Sequence, residues 1–186
     1  MSDDETDFLC VRCARKRKTC CQLCEVYVTP GDVGRIAAHT GQQDFTEFLP
    51  AGDTVYTDHD DDPSWMQLVF RADGTRRVLQ RHPDGDCTFL GPQGCRLPLE
   101  VRPLVCRLYP YEYTAEGIKP DELSNGCPME LVRPQLGLIG ELGMNLLDAR
   151  RWHRQLYEEI RSEQESGVRG QVPADEPEAR TRVPLP

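Results

Sequence analysis

The chemistry on offer in this chain lies in nine cysteines: Cys10, Cys13, Cys20, Cys21, Cys24, Cys87, Cys95, Cys106 and Cys127. They fall into two blocks, with no cysteine between Cys24 and Cys87. In the first block, Cys10-Val-Arg-Cys13 and Cys21-Gln-Leu-Cys24 are C-x-x-C pairs. Two thiolates at that spacing converge on one metal from a tight turn, and the unit recurs in zinc and iron–sulfur sites. The adjacent side chains of Cys20 and Cys21 diverge in most backbone conformations, so they suit different metal ions or different edges of one cluster. The gap between the two pairs is shorter than the roughly 15–20 residues of a zinc ribbon. In the second block, Cys87, Cys95, Cys106 and Cys127 are set among Gly, Pro and Arg, residues that build turns and supply charge. Neither block alone makes a conventional closed site, so the two are expected to meet.

Metal is the favoured use of these thiols. The count is odd, the N-terminus is acidic without the layout of a secretory signal, and clustered cysteines in a reducing cytosol bind metal more often than they pair. A disulfide or redox framework and plain core filling are the weaker readings. Four thiolates suit a 4Fe-4S cluster, iron or zinc equally. Arg102 and Arg107 flank Cys106, where guanidinium groups would stabilise thiolates and offset the charge of a cluster. Ordinary surface ion pairs are the alternative for both.

Other groups carry less. His82, five residues before Cys87, is the best non-cysteine ligand candidate, although a polar loop residue is the simpler reading. His39, His59 and His153 have no metal-type spacing. His59 lies in an acidic run with Asp58, Asp60, Asp61 and Asp62, which lacks the regular spacing and Gly of a calcium loop. Arg12, Arg15, Lys16, Arg17 and Lys18 make a basic cluster inside the first block. It reads as a solvated insert, as charge compensation for thiolates, or as a zinc-knuckle nucleic-acid contact. The net charge of −9 makes nucleic acid the weakest of the three. No segment approaches the apolar length of a membrane span.

The chain resembles the YkgJ-type cysteine-cluster family. The likeness rests on Phe8-x-Cys10-x-x-Cys13, Cys20-Cys21, Val28-Thr29-Pro30-Gly31-Asp32 and Gly85-Asp86-Cys87-Thr-Phe89-Leu90. It continues through Gly94-Cys95-Arg-Leu, Arg102-Pro103-Leu-Val-Cys106-Arg107-Leu-Tyr-Pro110 and Cys127-Pro128. Ala14 stands where the family has Gly, and the stretch Ala14 to Thr19 delays the double cysteine. The resemblance implies a zinc- or iron-chelating domain related to flagellin lysine N-methylases. It implies Cys10, Cys13, Cys20, Cys21, Cys87, Cys95, Cys106 and Cys127 as ligands and leaves Cys24 dispensable. The implied functions are a cytoplasmic metal-binding accessory or redox protein, or else a protein-modifying enzyme resembling a lysine N-methylase. A protein partner stays unidentified.

The elements that must position these residues are legible in part. Thr29 caps a helix, Pro30 suits its first position, Asp32 completes a capping box and Gly41 ends it, with Val33, Ile36 and Ala37 as the apolar face. Asp44 to Leu49 predicts a second short helix. Trp65 to Phe70 and Thr75 to Gln80 predict two strands joined at Ala72-Asp73-Gly74. His82 to Pro110 predicts irregular turns that a metal would help to order. A long helix is expected from near Leu131 or Pro134 to about Glu163. Leu138, Leu142, Ala149, Trp152, Leu156 and Ile160 line one side of it, and Gly137, Gly140 and Gly143 weaken its start. Trp152 and His153 read as helix packing and surface. The apolar faces of the two principal helices are expected to pack on each other. The expected fold is therefore α+β: one small domain over 8–163 with cysteine-rich loops around a metal centre, a short β-hairpin and a long C-terminal helix. Residues 1–7 and 166–186 are expected to be disordered tails.

Overall fold

A computed structural model describes residues 9–16, 19–57, 61–124 and 126–165. The two terminal tails, Phe8, Arg17, Lys18, Asp58, His59, Asp60 and Asn125 lie outside the described residues. The chain opens with two short helices, α1 (Leu9–Ala14) and α2 (Cys20–Leu23). Helix α3 (Pro30–Thr40) follows with the predicted caps. The Thr29 hydroxyl accepts from the Asp32 N–H at 2.9 Å, and the Asp32 carboxylate accepts from the Thr29 N–H at 3.1 Å. Gly41 ends the helix at φ 72°, in the left-handed region that favours glycine. Asp32 does more than cap. Fully buried, it also accepts from the Leu104 N–H at 3.1 Å and so anchors a second helix start far along the chain.

Two sequence expectations exchange places here. Residues 44–49 form no helix; instead β1 (Thr46–Pro50) pairs antiparallel with β2 (Thr75–Leu79), Thr46 opposite Leu79. Residues 65–70 form no strand; they lie in and just after helix α4 (Pro63–Val69). The signal for α4 precedes the apolar run: Asp62 caps by accepting from the Trp65 N–H, and Pro63 takes the first helical position. The turn at residues 72–74 exists, but it links α4 to β2.

The second cysteine block is built from small pieces, as its Gly and Pro content requires. These are β3 (Leu90–Gly91) paired with β4 (Gly94–Cys95), then α5 (Leu104–Leu108), then the hairpin β5 (Tyr111–Thr114) with β6 (Gly117–Leu123). The predicted C-terminal helix is broken. Short α6 (Gly137–Glu141) is followed by α7 (Leu146–Glu165). Gly143, at φ 61°, turns the chain between them.

Three buried clusters form the core. The first joins Ala149, Trp152, Leu156, Tyr157 and Ile160 of α7 to Leu104 and Leu108 of α5 and to Trp65 and Val69 of α4. The second holds Ile36 of α3 with Phe45, Leu79, Phe89 and Leu97. The third sets Leu9 of α1 against Leu138 and Leu142. The apolar faces of α3 and α7 therefore serve different clusters. The two helices meet through polar groups instead: Glu159 binds Arg35 at 2.6 Å and also accepts from the Thr29 hydroxyl. His153 is buried rather than on the surface, with its Nε2 on the Thr114 carbonyl at 2.7 Å.

Candidate metal centre

Helix α1 sets Cys10 and Cys13 three residues apart, hence on one helical face. Its placement depends on Arg12, which points the other way into the protein. Arg12 is buried, donates to the Leu131 carbonyl at 2.8 Å and pairs with Glu141 at 2.9 Å. Arg133 binds the same carboxylate at 2.6 Å. Two guanidinium groups thus hold Glu141 ionised, with its pKa down to about 2. Arg12 accordingly leaves the expected basic cluster; Arg15 and Lys16 are exposed.

Helix α2 begins at its cap Thr19, which shares a capping box with Gln22, and carries Cys20 and Cys21. The Cys87 N–H donates to the Cys21 carbonyl at 3.0 Å and stitches the second block to the first. Cys95 ends β4, Cys106 sits in α5 and Cys127 precedes Pro128. All nine cysteines line one cavity of about 760 Å³. The two blocks therefore meet at one cavity, short of the metal-bridging distance that the sequence led us to expect. All nine are free thiols, and Cys24 is the exposed one. Among the described residues, no three His, Cys, Asp or Glu side chains converge closely enough to hold one metal ion as they stand.

The cavity holds its thiols in tension between burial and charge. Burial, followed by the neighbouring thiols, pushes Cys10 and Cys87 up to about 11. Burial raises Cys95 and pushes Cys106 well above the ordinary thiol value, the latter with help from Cys21, Cys87 and Cys95. Cys20 is raised further still, chiefly because it hydrogen-bonds to Cys21. Cys21 moves the other way, down to about 7, through that bond from Cys20, opposed by burial and aided by Arg102, Thr19 and Arg81. A positive centre in the cavity would lower every thiol in it, because metal binding and thiol deprotonation are linked. Backbone N–H groups of Phe89 and Leu97 already turn toward Cys87 and Cys95.

Both predicted arginines line the cavity, but they are bonded differently. Arg102 lines the cavity, donates to the Leu97 carbonyl at 3.0 Å, and its charge acts on Cys10, Cys21 and Cys95. Arg107 is buried against the Arg102 carbonyl at 2.7 Å and Glu100 at 3.3 Å. The guanidinium that sequence reasoning missed is Arg81, which donates to the Cys24 and Gly85 carbonyls and acts on Cys21 and Cys87. No spacing rule marks it; an antiparallel bridge from Arg81 to Cys87 brings it in. Tyr109, whose phenol meets Cys127, was also missed, although it belongs to the Leu-Tyr-Pro run after Cys106. His82 and His39 are exposed and do not line the cavity. Asp62 is a buried helix cap rather than part of a solvated loop.

The site is that of a cysteine-lined, metal-chelating module on a small α+β frame. The chain belongs to the CxxCxxCC family, described as "Putative zinc- or iron-chelating domain", whose model matches residues 9–128. The match covers both cysteine blocks. No curated protein and no solved structure matches the chain. Metal binding, by zinc or iron, is the function that this family membership carries.

Proposed function

We propose that the chain holds an iron–sulfur cluster of the 4Fe-4S type and acts as an accessory or redox protein in the cytosol. Its thiolate ligands are drawn from Cys10, Cys13, Cys20, Cys21, Cys87, Cys95, Cys106 and Cys127, within a unit running over 8–163. One observation carries this reading. The cysteines ring a common cavity, yet no three described donors converge on a point. A single zinc requires four donors at about 2.0–2.3 Å from one centre. A cluster spreads its thiolates over several irons and suits donors set around a larger body. Arg102 and Arg81 supply positive charge beside the thiols, which favours the anionic charge of a thiolate-bound cluster. Phe89 and Leu97 supply N–H groups of the kind that tune cluster sulfurs.

Anaerobic purification decides the matter. A brown protein with iron, labile sulfide and broad visible absorption is the expected result. A colourless protein with stoichiometric zinc and no sulfide would reject the cluster and leave a zinc site on the same cysteines.

A further inference from the structure

The cavity is lined by more than its cysteines: Trp65, Tyr111, Tyr113, Tyr157, Met144 and Asp62 also line it. Trp65 lies edge-on to both Tyr113 and Tyr157, with centroids 6.2 Å apart in each pair. Tyr113 lies within electrostatic reach of both Cys106 and Asp62: burial pushes its phenol up, and Cys106, Glu112 and Asp62 all add to the shift. At about 760 Å³ the whole cavity is the size of a small-molecule site, roughly 300–1,000 Å³, and exceeds what a metal centre alone requires.

Asp62 is the telling residue. Among the described residues three carboxylates are buried: Asp32, Asp62 and Glu141. Asp32 pairs with Arg35 at 2.7 Å, and Glu141 pairs with Arg12 at 2.9 Å. Asp62 forms no ion pair among the described residues. Its donors are neutral: the Ser64 and Tyr157 hydroxyls and the Trp65 and Ala115 N–H groups. Against the cost of burial these four hold its pKa below the ordinary carboxylate value, so it is charged at neutral pH. Arg161 sits over the Tyr157 ring at 5.5 Å, but it is exposed and makes no ion pair with Asp62. Buried charges in proteins are paired, and aromatic walls around a carboxylate are the usual setting for an organic cation.

We infer that the part of the cavity lined by these residues binds a small alkylammonium cation, held between Asp62 and the rings of Trp65, Tyr113 and Tyr157. Asp61 and Glu112 also line the cavity, and Lys119 engages Asp61 at 2.8 Å. This goes beyond the metal reading, since it assigns the cavity a ligand of its own.

The test uses the full chain loaded with metal, with metal content measured on the same sample. Choline and its neutral isostere 3,3-dimethylbutan-1-ol are each titrated by calorimetry. Choline is expected to bind at one site about tenfold or more tighter than the alcohol. Trp65 emission should report occupancy, because Trp152 is buried and does not line the cavity. Asp62→Asn keeps a capping acceptor for the Trp65 N–H and should abolish the preference while leaving metal content unchanged. Tyr113→Leu, which removes a wall without touching the cap, should weaken choline binding in the same way. Equal binding of the two compounds, no choline binding, or a preference undiminished in both variants overturns the inference. A sample that holds metal but ignores choline rejects this inference alone. One that binds choline without iron or zinc rejects the metal reading alone.

Discussion

The cysteine-lined cavity and the α7 face are held together by different means. Along α7, Ala149, Trp152, Leu156 and Ile160 bury apolar surface against α4 and α5, a cohesion that requires nothing from outside the chain. Around the cavity, strands of two residues and helices of four to six carry the cysteines, and burial raises the thiols of Cys10, Cys95 and Cys106. There the chain collects donors more than it packs. A region of the first kind is stable by itself, whereas one of the second kind gains much of its order from what it binds.

Removing the metal should separate the two regions most sharply. Chelation, or Cys106→Ala, is expected to raise hydrogen exchange over 83–128 and in α1 and α2 while α7 stays protected. The linked free energy is on the order of 10 kcal/mol for a tightly held structural metal. Equal protection of 83–128 with and without metal would remove the physical ground for the metal site. The converse break is Trp152→Ala, which empties the core on α7. It should cost about 3–5 kcal/mol in denaturant unfolding. The folded fraction should keep its full metal-to-protein ratio; a lost metal would show that the two regions are one cooperative unit.

A third measurement probes the join between them. Glu141 is held at about 2, below its ordinary 4.5. Its contribution is therefore fully present above pH 4.5 and is lost as pH falls toward about 2. Glu141→Gln should lower stability at neutral pH and narrow the gap from wild type as pH drops through that window. A constant gap would mean that its charge is immaterial. The smallest effect is expected at Cys24, the exposed thiol beside the Tyr56 hydroxyl. Cys24→Ser should leave metal content unchanged, and loss of metal would add Cys24 to the ligands.

The sequence was most legible where a local rule decides the outcome. The Thr29-Pro30-Gly31-Asp32 start needs only its own four residues, and the structure forms it with both capping bonds. That the two cysteine blocks meet was legible from chemistry, since neither had a closed site of its own. Legibility failed where a distant partner decides. Residues 46–50 are extended because the distant β2 pairs with them; the helix over 65–69 is a different miss, since its cap Asp62 and Pro63 stand beside it in the sequence. Arg12 read as one of five basic residues in an insert, and acceptors more than a hundred residues away, Glu141 and the Leu131 carbonyl, turn it inward. Arg81 has no sequence signature, and Asp62 has only that of a helix cap before Pro63; the importance of both comes from what the fold sets beside them.

The pairing of Arg12 with Glu141 and the Leu131 carbonyl bears on how portable this module is. Both acceptors lie beyond residue 128, where the family match ends. A fragment trimmed to residues 9–128 would keep every cysteine and yet strand a buried guanidinium on the helix that presents two of them. Grafting the cysteine segment onto another protein would therefore require a new acidic socket for Arg12, or an apolar residue in its place. For this chain the unit of inheritance and the unit of assembly differ: the motif is written in the first two thirds, and its brace in the last.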